Sequence, residues 1–201
     1  MMRIGIYGGT FDPPHAGHKK YVDELKGRLS LDKLIVIPTA TPPHKTKSSF
    51  SSSEERLEML KILFGSDADV EVSDMEILRG GKSYTWETVT LLRENYPEDE
   101  LIFLLGSDML FTFHQWLNPD VILSKVKICA VTRSGEFGEE KLRDYIEEKF
   151  PEKKERFITC AFEPIELSST EIRNAIREGE CVDGLVDEKV MEYIKEKELY
   201  L

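Results

Sequence analysis

Five short apolar runs punctuate the chain: Arg3–Tyr7 (RIGIY), Lys33–Pro38 (KLIVIP), Leu101–Gly106 (LIFLLG), Lys127–Thr132 (KICAVT) and Arg156–Cys160 (RFITC). Within each, apolar side chains follow one another with little polar alternation, the pattern of strands covered on both faces. Between the runs the spacing becomes helical. Val22, Leu25 and Leu29 recur at i, i+3 and i+7, and Leu57, Leu60 and Phe64 repeat that interval behind a Ser52–Glu55 capping box. Thr85, Val89, Leu92 and Tyr96 mark a third helix. Strands alternating with helices predict an α/β fold with a parallel sheet. Two segments break the rhythm. Pro38–Ser52, rich in Pro, Ser and Thr, predicts a long loop, and the charged stretch Ser134–Arg156 predicts an exposed helix with a solvated face.

Length and charge narrow the classes. The 201 residues suffice for one domain with a buried core, and no linker or internal repeat divides them, so a single domain over 1–201 is expected. With 38 acidic against 27 basic residues the net charge is −11, the wrong sign for a nucleic-acid binder. A small anionic ligand remains compatible, because helix N-termini bind anions locally. Met1–Thr10 lacks a signal-peptide pattern and no apolar stretch reaches membrane-spanning length, so no membrane association is expected. Cys129, Cys160 and Cys181 are far apart in sequence and lack metal-ligand spacing, which predicts buried thiols of a reducing cytoplasm.

The chemistry concentrates in Tyr7–His18, YGGTFDPPHAGH, directly after the first run. Gly8 and Gly9 permit a tight turn and close approach of a ligand to the backbone. Asp12 is a candidate helix cap, and Pro13 and Pro14 stiffen the entry into a helix. His15 and His18, three apart, share one face near the positive end of the helix dipole, and Gly17 keeps that face low. A zinc reading is weak, since further ligands are missing at suitable spacing. Strand, turn and helix in this order make a cradle for an anion.

GGTFDPPHAGH resembles the nucleotide-binding signature of the nucleotidylyltransferase superfamily, whose marker is HxGH. PTATPPHK (Pro38–Lys45), SYTWET (Ser83–Thr88), LGSD (Leu105–Asp108), FHQW (Phe113–Trp116), LSSTEIR (Leu167–Arg173) and YIKEKELY (Tyr193–Tyr200) follow in order. Together, over essentially the whole chain, they resemble the bacterial nicotinate-nucleotide adenylyltransferases. Two departures stand out: Lys19 and Lys20 replace a usual apolar residue, and Asp187 replaces a common proline but can itself cap the last helix.

The resemblance implies a Rossmann-like, doubly wound sheet whose helical C-terminal portion helps to close a nucleotide site. It implies ATP and nicotinate mononucleotide as substrates, deamido-NAD and pyrophosphate as products, and Mg²⁺ as cofactor. Gly8, Gly9, Thr10 and Phe11 would line the ATP site, with His15 and His18 on the phosphates and His18 supporting the transition state. In LSSTEIR, Ser168 and Glu171 read as a capping box, with Ile172, Ala175 and Ile176 core-facing and Gly179 at the helix end. Free N–H groups there, with Ser169, Thr170 and Arg173, would take phosphate. Asp108 reads either as a helix cap or as a group serving the nucleotide and its magnesium. His44 and Lys45 would contact substrate phosphate, Trp116 would stack on the pyridine ring, and Thr85 would lie near its carboxylate. Homo-oligomerisation is left open. Pantetheine-phosphate adenylyltransferase shares HxGH, but PPHK, SYTWET and FHQW argue against it. Class I aminoacyl-tRNA synthetases are much longer, and the complete motif set argues against a regulator that only binds nucleotide.

Overall fold

The computed structural model describes residues 1–41, 51–132, 138–163 and 167–201. In chain order the elements are β1 (Arg3–Gly9), α1 (Ala16–Arg28), β2 (Lys33–Pro38), α2 (Ser53–Phe64), β3 (Val70–Val72), α3 (Met75–Arg79), α4 (Thr85–Asn95) and β4 (Glu100–Gly106). There follow α5 (Ser107–Leu110), α6 (Pro119–Lys125), β5 (Lys127–Thr132), α7 (Glu139–Lys149), β6 (Phe157–Ala161), α8 (Ser169–Glu178) and α9 (Glu188–Glu196). The six strands form one parallel sheet in the order β3-β2-β1-β4-β5-β6. This is the Rossmann-like, doubly wound order. All five apolar runs are strands. The sixth, β3, is a three-residue edge strand, Val-Glu-Val, too short to carry a pattern of its own.

Alternate residues of the central strands feed two cores. Ile4, Ile6, Leu101, Phe103 and Ile128 face a layer closed by α4, α6 and α7, while Leu34, Val36, Ile102, Leu104 and Cys129 face α1 and α2. At Gly5 a Cβ would fall 2.6 Å from Leu31 Cδ1, so the missing side chain makes room for the chain leaving α1. Lys19 is accommodated on α1 by ion pairs to Asp23 (2.7 Å) and Asp67 (3.2 Å).

A third cluster joins Met59 of α2 to Ile172 and Ile176 of α8 and Val190 and Ile194 of α9, seating the C-terminal helices against the sheet domain's α2. Asp187 caps α9, accepting from the Lys189 and Val190 N–H groups. Gly179 ends α8 at φ 72°. The charged segment does contain a helix, α7, but not a wholly solvated one: Leu142, Tyr145 and Ile146 are buried. The expectation of buried thiols needs correction at Cys181, which is exposed, and at Cys160, which is half-buried. β5–β6 pairing brings Cys129 and Cys160 to an Sγ–Sγ distance of 3.7 Å.

Candidate active site

The strand order reverses between β1 and β4, and in open parallel sheets such a switch point forms a ligand crevice at the strands' carboxyl ends. Here those ends are Gly8–Gly9 of β1 and Gly106 of β4. At Gly9 a Cβ would lie 2.8 Å from the Phe11 ring, which leaves no room for a side chain. Phe11 itself sits at φ 53° and is buried, its ring edge-on to Tyr7 (5.2 Å) and His18 (4.9 Å). Thus the turn is shaped by an aromatic folded back over the strand end.

Helix α1 does not start as its sequence suggests. Its N-cap is His15 and not Asp12, and His18 is the third helical residue. The His18 Nδ1 accepts the His15 backbone N–H at 3.1 Å, taking the place that Glu or Gln fills in an ordinary capping box. The two imidazoles stack at 3.7 Å between centroids with 29° between planes. Burial lowers the His15 pKa to about 4, and burial together with the charge His15 would carry lowers that of His18. Both rings are therefore neutral near pH 7. With Nδ1 occupied as an acceptor, the single ring proton of His18 belongs on Nε2, which is left to donate.

Asp12 instead occupies the centre of a buried network. It is 1% exposed, and its Oδ1 accepts from Ser51 Oγ (2.7 Å), the Ser51 N–H (3.2 Å) and Tyr200 Oη (2.7 Å). The peptide bond to Pro13 is cis. Arg56, 2% exposed, donates to the carbonyls of Thr10 (2.8 Å) and Thr39 (2.6 Å), tying the ends of β1 and β2 to α2. A cap requires a carboxylate beside free helical N–H groups, and these long-range donors hold Asp12 elsewhere.

Helix α8 docks on the same turn. Ser169 Oγ donates to the Pro13 carbonyl (3.0 Å), and Arg173, 8% exposed, donates to the Asp12 carbonyl (2.6 Å) and to Thr170 Oγ1 (3.2 Å). Ser168 caps α8 through the Thr170 N–H (3.2 Å) and not through Glu171, so the predicted reciprocal box does not form and Glu171 stays exposed. The α1 start is also held by the Ala16 N–H bonding the Leu185 carbonyl at 2.8 Å.

Other elements carry the remaining described candidates. The Thr39 N–H bonds the Gly9 carbonyl (2.9 Å), and the Ala40 N–H bonds Ser83 Oγ (2.9 Å), which draws the Ser83–Thr85 turn to the cradle. Thr85 is the first residue of α4, where helical N–H groups have no intrahelical acceptor. Trp116 is half-buried and meets Phe103 edge-on at 6.4 Å; the Phe103 ring in turn lies 3.7 Å from where a Gly8 Cβ would be. Asp108 is exposed in the first turn of α5, whose N-cap is Gly106. His44 and Lys45 lie outside the described residues. Sequence reasoning gave no role to Ser51, Arg56 or Tyr200. Arg56 carries no local signal, whereas Tyr200 lies in the YIKEKELY stretch that already marked the resemblance.

A cytidylyltransferase-like family model matches residues 6–175. The "Probable nicotinate-nucleotide adenylyltransferase" of Clostridium tetani is 38% identical over 203 residues, covering 100% of both chains. The nicotinate-nucleotide adenylyltransferase of Bacillus subtilis is 34% identical over 200 residues, covering 100% of this chain and 99% of that one. In fold, the chain matches Plasmodium falciparum nicotinic acid mononucleotide adenylyltransferase complexed with NaAD, with a TM-score of 0.79 at 19% identity, covering 100% of this chain and 98% of that one. The chain belongs to the cytidylyltransferase-like family and, within it, to the nicotinate-nucleotide adenylyltransferases.

Proposed function

We propose that this nucleotidyltransferase moves the adenylyl group of ATP onto nicotinate mononucleotide, giving deamido-NAD and pyrophosphate in the biosynthesis of NAD. The observation that carries the mechanism is the pair of neutral, stacked imidazoles at the β1–β4 switch point, with His18 oriented by its own helix cap. A nucleotide monophosphate has a second pKa of about 6, so its attacking oxygen is already anionic and needs no general base. Catalysis then rests on alignment and on donors aimed at charge spreading over the α-phosphoryl oxygens.

The Gly8–Phe11 backbone cradles the triphosphate. His18 holds a proton at Nε2 and directs it to the reacting phosphate, while His15 supports that ring by stacking. The amino end of α8, with Ser169, Thr170 and Arg173, receives the departing pyrophosphate. Thr85, at the start of α4, takes the nicotinate carboxylate, Trp116 stacks on its ring, and His44 and Lys45 meet the substrate phosphate.

Mg²⁺ would enter as part of the substrate MgATP. Among the described residues no three His, Cys, Asp or Glu side chains cluster as a cage. The exposed Asp108 carboxylate offers one oxygen ligand, which fits an ion that keeps phosphate and water around it and neutralises phosphate charge.

The test is product analysis with MgATP and a panel of nicotinate mononucleotide, nicotinamide mononucleotide and phosphopantetheine, following pyrophosphate release. Deamido-NAD should be the main dinucleotide. Turnover of phosphopantetheine alone refutes the assignment, and nucleotide binding without pyrophosphate release refutes catalysis.

A further inference from the structure

Buried polar side chains that bridge remote parts of a chain at a reaction site have two uses: they hold the fold together, or they set the geometry of the reacting groups. Asp12 stands three residues before His15, on the turn that delivers both histidines, so where its carboxylate is held fixes where α1 begins. Ser51 and Tyr200 donate to it by hydrogen bond, and Arg173 Nη1 forms an ion pair with its Oδ2 at 3.7 Å. The two hydroxyl oxygens also lie 2.6 Å apart, so that with Oδ1 the three oxygens make a closed triangle.

The main chain after α9 is bent to make this contact. Glu198 sits at φ 53° and Tyr200 at φ 67°, conformations unfavourable for residues with a Cβ. Such outliers persist where surrounding contacts over-determine them. Leu199 N–H bonds the Ile194 carbonyl at 3.0 Å, and Leu199 and Tyr200 pack on the α8–α9 cluster, so packing alone accounts for the ring. It does not account for the hydroxyl, which reaches across 188 residues of sequence to Asp12.

We propose that Tyr200 is a positioning residue for adenylyl transfer: its hydroxyl, with that of Ser51, holds the Asp12 carboxylate and so sets the start of α1 from which His18 is aimed. The proposal rests on the reaction assigned above. Tyr200 touches no reacting atom. Its influence runs through Asp12, Pro13 and the His15 cap, and a small displacement of a reacting group is enough to slow a positioned reaction.

The experiment uses the full chain with Tyr200→Phe, which removes only the hydroxyl, and Ser51→Ala, which removes the other donor. Ile194→Val in the same C-terminal cluster serves as a control for stability. Both hydroxyl variants should lose about tenfold in kcat, with KM for ATP and nicotinate mononucleotide within about twofold of wild type. The double variant should lose little more than either single one, because the groups act as a unit. In the substrate-free protein, the ¹⁵N resonances of His15 and His18 should move in Tyr200→Phe and stay in place in Ile194→Val. That arm is independent of which nucleotides react, so failure of the assigned reaction and failure of the positioning role are separable. Unmoved histidine resonances, kcat within twofold of wild type, or an equal kcat loss in Ile194→Val each overturn the proposal.

Discussion

Replacing His18 by alanine separates two jobs of one ring, one that the structure shows and one proposed for it. The first is capping: Nδ1 accepts the His15 N–H at 3.1 Å, a contact whose loss costs about 1 kcal/mol, or about 2–4 °C in Tm for a chain of this size. The second is donation from Nε2 to the reacting phosphate. One oriented donor of this kind is worth roughly tenfold to a thousandfold in rate. His18→Ala should therefore show a small fall in Tm and a large fall in kcat, with KM changed much less, because the contact strengthens in the transition state. His18→Glu provides the counterpart. Its carboxylate restores the cap in the usual capping-box position but offers no proton to phosphate. Thermal melts and steady-state pyrophosphate release on the three proteins decide the matter. Tm should recover in His18→Glu while kcat does not. If activity instead follows Tm across the series, or His18→Ala keeps kcat within twofold of wild type, then the ring is only a cap.

Three further outcomes follow from the site. Burial holds His15 at a pKa of about 4 against 6.5 when free, so below pH 6.5 the unfolded chain binds more protons than the folded one. Stability should be intact above about pH 6.5 and fall as the pH drops toward about 4, by up to roughly 3 kcal/mol from His15 alone; denaturant midpoints at pH 7 and pH 5 that match in wild type, or a slope unchanged in His15→Gln, refute this. Nicotinate mononucleotide should be preferred over the amide, because a carboxylate gains charge-assisted bonds from the N–H groups at the start of α4 while an amide also points donors at donors. Trp116→Ala should weaken both substrates and preserve their kcat/KM ratio; a ratio that collapses moves the discrimination to the ring.

Much of this protein was legible along the chain because the signals are local. Uninterrupted apolar runs mark strands buried on two faces, the Ser52–Glu55 box starts α2, Asp187 caps α9, and Gly179 ends α8. Each of those features is encoded within about four residues and depends on nothing beyond them. The glycine pair, the prolines and the two histidines likewise sit together in sequence, so the strand, turn and helix that carry them were readable in the residues themselves.

What tertiary structure decided is where buried polar groups find partners. Asp12 has the sequence position of a helix cap, yet donors from Ser51 and Tyr200 claim its carboxylate, and the cap passes to His15. Ser168 keeps its cap but gives it to Thr170, and Arg173 turns to the Asp12 carbonyl. The edge strand β3 gains its identity from pairing with β2, since three residues contain too little pattern to announce a strand. Cys129 and Cys160 meet only because β5 and β6 are neighbours. The physical reason is the same throughout: a side chain's periodicity and capping preference belong to its own segment, whereas a buried charge or hydroxyl goes wherever folding removes it from water beside a complementary group.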